Sequence, residues 1–201
     1  PRLGNNVNII GSLNVFEAAL EANCNLVIYT SSGGVYGQKD KINPFPETHY
    51  GAYKLAIEGI ARAYNSENKL NSFGLRPFVV YGPGREIGGT ASISLACKAV
   101  AEDKEYKIEF GGKAGFVYVE DVANIVLKIL DSSPMGAKVI NINGITEEVV
   151  NIVEYLNSFT TFKKITYHDN TLPIVDEILG NGPKDYFRNF SFTDLKTGLG
   201  K

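Results

Sequence analysis

The sequence predicts an α/β fold built on a doubly wound parallel sheet. Three observations predict it. Short apolar runs, such as the one holding Val27 and Ile28, are continuous rather than alternating, which suits strands covered on both faces. Segments of helical periodicity alternate with those runs. Two of the runs stop abruptly at turn residues, Thr30-Ser31-Ser32-Gly33-Gly34 and Tyr81-Gly82-Pro83-Gly84, as strand ends do.

Along the chain, residues 7–22 carry Ile9, Leu13, Phe16 and Leu20 at the spacing of an amphipathic helix. Residues 25–29 form the first strand. Pro44 and Pro46 mark an extended loop that feeds a helix over 49–65. There Ala52, Leu55, Ala56, Gly59, Ile60, Ala63 and Tyr64 fit the i, i+3, i+4, i+7 template, with Tyr50, Lys54 and Ile57 on an adjacent face. Two apolar sides on one helix predict packing against the sheet and against a second helix or another subunit. Residues 72–80 read as a strand, 91–102 as a helix, 106–110 and 116–119 as short strands, 122–130 as a helix and 139–143 as a strand. Thr146 is placed to cap a helix over 147–157 with acidic residues in its first turn. Residues 164–168 form a last strand, and the tail after Asp169 is rich in loops.

Composition narrows the function. With 20 basic and 22 acidic residues the net charge is −2, and no basic block predicts nucleic acid as a partner. No apolar stretch reaches the roughly 18 residues of a membrane span, and no signal-peptide pattern is present, so a cytoplasmic protein is expected. Cys24 and Cys97 sit among apolar residues and read as small buried thiols in a reducing compartment. His49 and His168 lack ligand spacing, so no metal is expected. The chain starts at Pro1, and the expectation is a piece of a longer protein.

Tyr50 and Lys54 stand four residues apart, one helical turn on the same face. Phenols are weak acids, and a neighbouring ammonium favours the phenolate. A serine hydroxyl nearby would hold a substrate oxygen beside the phenol, which together equips a site to move a proton between an alcohol and a carbonyl. About one Tyr-x-x-x-Lys pair is expected by chance in such a composition, so the pair needs context.

That context is five motifs in order: Asn8-Ile9-Ile10-Gly11-Ser12-Leu13-Asn14, Thr30-Ser31-Ser32-Gly33-Gly34-Val35-Tyr36-Gly37, Tyr50-Gly51-Ala52-Tyr53-Lys54-Leu55-Ala56-Ile57-Glu58, Leu75-Arg76-Pro77-Phe78-Val79-Val80-Tyr81-Gly82-Pro83-Gly84, and Phe116-Val117-Tyr118-Val119-Glu120-Asp121-Val122-Ala123. Together they resemble the extended short-chain dehydrogenase/reductases, in particular the NAD-dependent epimerase/dehydratase branch (UDP-glucose 4-epimerase-like). The resemblance implies a Rossmann-like fold. Residues 1–80 would be the second half of the dinucleotide-binding domain. Residues 81–201 would be mainly a small α/β substrate-binding region, with 116–143 returning to the Rossmann sheet.

The resemblance also implies roles. Tyr50 would be the general acid/base, and Lys54 would support it and bond the nicotinamide ribose. Ser32 would bind the reacting oxygen, with Gly33 beside it on the substrate side. Asn8, Ser31, Pro77 and Val80 would lie near the cofactor, although Asn8 also reads as an ordinary polar residue early in a helix. The implied cofactor is NAD, with NADP left open. The implied substrate is a sugar nucleotide or sugar derivative, and the implied assembly is a homodimer pairing the Asn14 helix with the Tyr50 helix.

Departures qualify the substrate. The 4,6-dehydratases of this branch carry Asp and Glu where this chain has Gly33 and Gly34, so dehydration is disfavoured. Val79 replaces a frequent asparagine, and Ala114-Gly115 replaces a frequent Arg-Asp phosphate clamp. Arg85 and Lys113 are nearby candidate cations for the substrate, a solvated surface role being the alternative for each. No Gly-x-x-Gly-x-x-Gly occurs to hold a pyrophosphate, so the N-terminal part of the Rossmann sheet is expected to be missing. Three readings follow: an NAD(P)-dependent sugar-nucleotide epimerase, a dehydrogenase or reductase of a sugar acid or small alcohol, and a non-catalytic Rossmann-like binding module.

Overall fold

The structure, a computed structural model, describes residues 1–161 and 164–201. The chain opens with a helical rod: α1 (Arg2–Asn5), a π-helical turn (Asn6–Ile10) and α2 (Gly11–Glu21). There follow β1 (Leu26–Thr30), a 3₁₀ turn (Gly33–Tyr36), α3 (His49–Asn68), β2 (Asn71–Pro77), β3 (Val79–Tyr81), α4 (Ser92–Ala101) and β4 (Tyr106–Ile108). Next come β5 (Lys113–Tyr118), α5 (Val119–Ser132), β6 (Ala137–Ile142), β7 (Ile145–Glu148), α6 (Val149–Asn157) and β8 (Ile165–Tyr167). The tail holds two short helices, α7 (Pro183–Tyr186) and α8 (Leu195–Leu199).

The principal sheet is parallel, in the order β1-β2-β6. Its two faces are both covered. Val27 packs with Phe16 of α2 and Ala61 of α3, whereas Leu26 and Ile28 belong to the cluster containing Ile125 and Ile129 of α5. Successive strand residues point to opposite faces, so a covered strand must be apolar throughout. A second sheet, β3-β5-β7, is parallel between β3 and β5 and antiparallel between β5 and β7. Its core joins Tyr81 and Phe116 to α4 and α6, and β4 pairs with β8 beside it.

Four details differ from expectation, and a fifth, on α3, assigns the faces. The apolar run over 72–80 is two strands in two sheets, parted at Phe78, whose amide donates to the carbonyl of Ile142 (3.1 Å). Thr146 caps no helix: antiparallel pairing places it opposite Gly115, and α6 starts three residues later, at Val149. On α3 the buried residues are Gly51, Ile57, Glu58 and Ala61, while Ala52, Ala56 and Ala63 are exposed. The sheet therefore takes a different face from the small-residue stripe. Of the stripe at 9, 13, 16 and 20 only Phe16 is fully buried, because one side of the rod meets no neighbour among the described residues. Cys24 is exposed in a turn and Cys97 is half-buried, where burial pushes its thiol up to about 11.

No helix among the described residues is long and apolar enough to cross a membrane. No group of three His, Cys, Asp or Glu among them could hold a metal ion.

Candidate functional site

The carboxyl ends of β1 and β2 and the start of α3 open on a cavity of about 660 Å³, within the roughly 300–1,000 Å³ of small-molecule sites. A crevice beyond strand ends is where open α/β sheets bind ligands. Ser31, Ser32, Tyr50, Pro77, Val80 and Arg85 all line it.

Local chemistry fixes each side chain. Ser32 caps the 3₁₀ turn, its Oγ accepting from the Gly34 amide (3.0 Å). A hydroxyl that accepts still has its proton to donate. Thr48 caps α3 by accepting from the Gly51 amide (3.0 Å), which sets Tyr50 in the first turn. Tyr50 is 50% exposed, with its ring facing the cavity wall. A Cβ at Gly34 would lie 3.3 Å from Ser32 Oγ and 3.7 Å from the Tyr50 ring, so the bare glycine stands between the two groups.

Lys54 lies one turn on. Its Nζ donates to the carbonyl of Thr30 (2.8 Å) and sits 5.6 Å from the centre of the Tyr50 ring. Burial holds the Lys54 ammonium below the usual lysine range. Two of its three N–H donors have no partner among the described residues.

Gly51 is the contact that seats this helix. A Cβ there would come within 2.2 Å of the Gly34 carbonyl oxygen. Gly51→Ala should therefore push the first turn of α3 away from Ser32, at a cost of about 1–3 kcal/mol. A melting point unchanged from the parent would show that the contact is slack.

Arg85 folds over its own loop, donating from Nη1 to the carbonyl of Ile87 (2.6 Å) and from Nη2 to Thr90 Oγ1 (3.4 Å). Its Nε is buried without a hydrogen-bond partner, and no carboxylate pairs with it among the described residues. It is thus an uncompensated cation in the cavity wall.

Other predicted residues are spent on structural contacts or lie outside the cavity. Ser31 is buried, and its hydroxyl is taken up by Glu58 (2.6 Å). Gly33 lies under the ring of Phe78, which would be 2.7 Å from a Cβ at that position, and is not among the lining residues. The same ring is 3.3 Å from a Cβ at Gly115. Asn8 occupies the middle of the π-helical turn, its amide donating to the carbonyl of Gly4 (2.9 Å). Neither Asn8 nor Lys113 lines the cavity.

Sequence reasoning missed much of the wall. Thr48, the Gly88-Gly89-Thr90 loop and Leu172, Pro173 and Ile174 all line it. The last three are held there by the tail: the amide of Val175 donates to the carbonyl of Gly37 (2.6 Å), and Lys41 pairs with Asp176. No local pattern links residue 37 to residue 175.

Comparison with known proteins bears on this site. The family described as "NAD dependent epimerase/dehydratase family" matches residues 2–143. A 37.6 kDa protein of Escherichia coli O111:H-, itself uncharacterized, is 33% identical over 138 residues, 63% of this chain and 40% of that protein. UDP-glucuronate 4-epimerase 5 of Arabidopsis thaliana is 33% identical over 143 residues, 64% of this chain and 32% of that protein. The chain thus spans less than half the length of these curated relatives. Among solved structures, MoeE5 in complex with UDP-glucose and NAD superposes with a TM-score of 0.80 at 25% identity, over 96% of this chain and 68% of that one. A Bacillus cereus UDP-glucuronic acid 4-epimerase, 22% identical, shares the fold with a TM-score of 0.80 over 98% of this chain and 66% of that one. With the matched stretch running through the Ser32, Tyr50 and Lys54 motifs, the chain belongs to the NAD dependent epimerase/dehydratase family.

Proposed function

We propose that this chain carries the proton-transfer site of an NAD-dependent epimerase acting on a sugar nucleotide. The observation that carries the reading is that Ser32 and Tyr50 line one cavity while the Lys54 amine is anchored to Thr30 at the end of β1, beside the Tyr50 ring. Ser32 donates its free proton to the reacting oxygen and orients it. Tyr50 takes the alcohol proton as the carbonyl forms and returns it when the carbonyl is reduced. Lys54 stabilises the phenolate in between, and its two free donors suit a ribose diol. Bound NAD would accept and return the hydride.

The residues present fit the nicotinamide end of such a cofactor: Lys54 keeps two unspent donors while bonded to Thr30, a lining residue, and the cavity has an apolar wall of Pro77, Phe78 and Val80. A glycine fingerprint for the pyrophosphate is not among the 201 residues. Arg85 is the natural partner for an anionic part of the substrate, since its Nε is orphaned and its charge unpaired. Gly33 and Gly34 offer no acid to expel water, which favours epimerisation over dehydration. The similar solved proteins bound to UDP-glucose or UDP-glucuronic acid support the substrate class.

The test supplies the full-length protein with NAD and each of those two nucleotides. An epimer formed without accumulation of free NADH is expected. Net release of NADH would instead indicate a dehydrogenase, and absence of any turnover would overturn the reading.

Assembly belongs to the same proposal. Leu3, Val7 and Ile10 are exposed along one side of the N-terminal rod, and Ala52 and Ala56 are exposed on α3. Apolar and small residues on adjacent helices suit close pairing with a second copy. A dimer is expected in sedimentation at micromolar concentration, and a monomer there would refute it.

A further inference from the structure

Glu58 is fully buried, two turns from Tyr50 and one from Lys54 on the same face of α3. A buried carboxylate is costly unless it is paired and hydrogen-bonded. Glu58 meets that condition completely. Arg76 donates from Nε to Oε1 (2.7 Å) and from Nη2 to Oε2 (2.6 Å), a two-pronged pair. The Ser31 hydroxyl donates to Oε1 (2.6 Å). Burial works against the Arg76 charge, and the Glu58 carboxylate more than restores it, holding the guanidinium above its usual value.

The reach of this pair is unusual. Ser31 immediately precedes Ser32. At the far end of the 3₁₀ turn that Ser32 caps, the Tyr36 hydroxyl accepts from Arg76 Nη1 (2.6 Å) and donates to Asn141 Oδ1 (3.0 Å). Both ends of the turn are therefore tied to one ion pair. The same pair joins α3, which carries Tyr50 and Lys54, to the end of β2, where Arg76 leads into Pro77 and Phe78 of the cavity wall. Asn141 extends the network to the tail by donating to the carbonyl of Gly180 (2.9 Å).

We infer that Glu58 and Arg76 are positioning residues: through Ser31 and Tyr36 they set where the Ser32 hydroxyl stands relative to Tyr50. The inference rests on the proton-transfer reading above. An apolar pair would fill the same space between helix and sheet, but it could not hold two ends of a turn at hydrogen-bonding distance. Displacing a reacting group by about 1 Å costs on the order of a hundredfold in rate.

The test leaves the ion pair intact and cuts only its links. Ser31→Ala, Tyr36→Phe and the double variant are made in the full-length protein, with Tyr50→Phe as the reference. With UDP-glucose and UDP-glucuronic acid as probes, kcat should fall roughly ten- to a hundredfold in the double variant, with KM within about twofold and a melting temperature several degrees lower for the two buried hydrogen bonds lost. Crystal structures of the variants should show Ser32 Oγ displaced from its place beside Tyr50. If Tyr50→Phe is inactive but the link variants keep kcat within about twofold, the positioning role is refuted while the proton-transfer reading stands. If Tyr50→Phe stays active, that reading fails instead. The crystal structures then decide positioning, and an unmoved Ser32 Oγ in every variant overturns it.

Discussion

Replacing Tyr50 by phenylalanine in the full-length protein is expected to lower turnover of a UDP-hexose by about 10²–10⁴-fold, the usual share of a positioned general acid/base. The change removes one hydroxyl and leaves the ring beside Lys54, where the ammonium lies 5.6 Å from its centre. Because Tyr50 is half exposed and its hydroxyl bonds to no described residue, stability should stay within about 0.5 kcal/mol of the parent. The pairing of a large rate loss with an unchanged melting temperature is the signature sought. Turnover within a few-fold of the parent would remove Tyr50 from the chemistry and leave the cavity as a binding site alone.

The second large effect concerns folding. Glu58→Gln retains the shape of the side chain and discards its charge, so Arg76 is left buried against a neutral amide. Breaking one side of a buried pair costs about 3–5 kcal/mol. For a chain of this size that is roughly 6–20 °C in melting temperature. Replacing Glu58 and Arg76 together by apolar residues of similar volume should cost far less, because no charge is stranded. A double replacement as damaging as Glu58→Gln would show that the penalty comes from packing and not from the unpaired guanidinium.

The grouping of Ser32, Tyr50 and Lys54 was legible in the sequence because each position is fixed by local rules. One helical turn puts Tyr50 and Lys54 on a common face, and an apolar run that stops at Thr30 puts Ser32 at a strand end. The split at Phe78 was not legible. A continuous apolar stretch looks the same whether it stays in one sheet or passes into a second, and the choice is made by β5 and β6, far along the chain. Thr146 failed for a related reason: its capping chemistry is sound, but pairing with β5 claims the segment first. On α3 the apolar periodicity picks out a half-buried face whose alanines are exposed, while the most deeply buried face holds an acid. Glu58 could have been suspected from its spacing, two turns below Tyr50, with Arg76 just before Pro77 as the available counter-charge.

The ring of Phe78 ties the size of two distant glycine positions to the cavity wall. It stands 2.7 Å from any Cβ that residue 33 could carry, and 3.3 Å from one at residue 115. A side chain at position 33 would therefore press on the ring, an overpacking worth about 1–3 kcal/mol. Shrinking Phe78 would relieve that contact but leave a hole in the core, at about 3–5 kcal/mol. Positions 33 and 78 are thus tied in size, and neither accepts a change of volume that the other does not share.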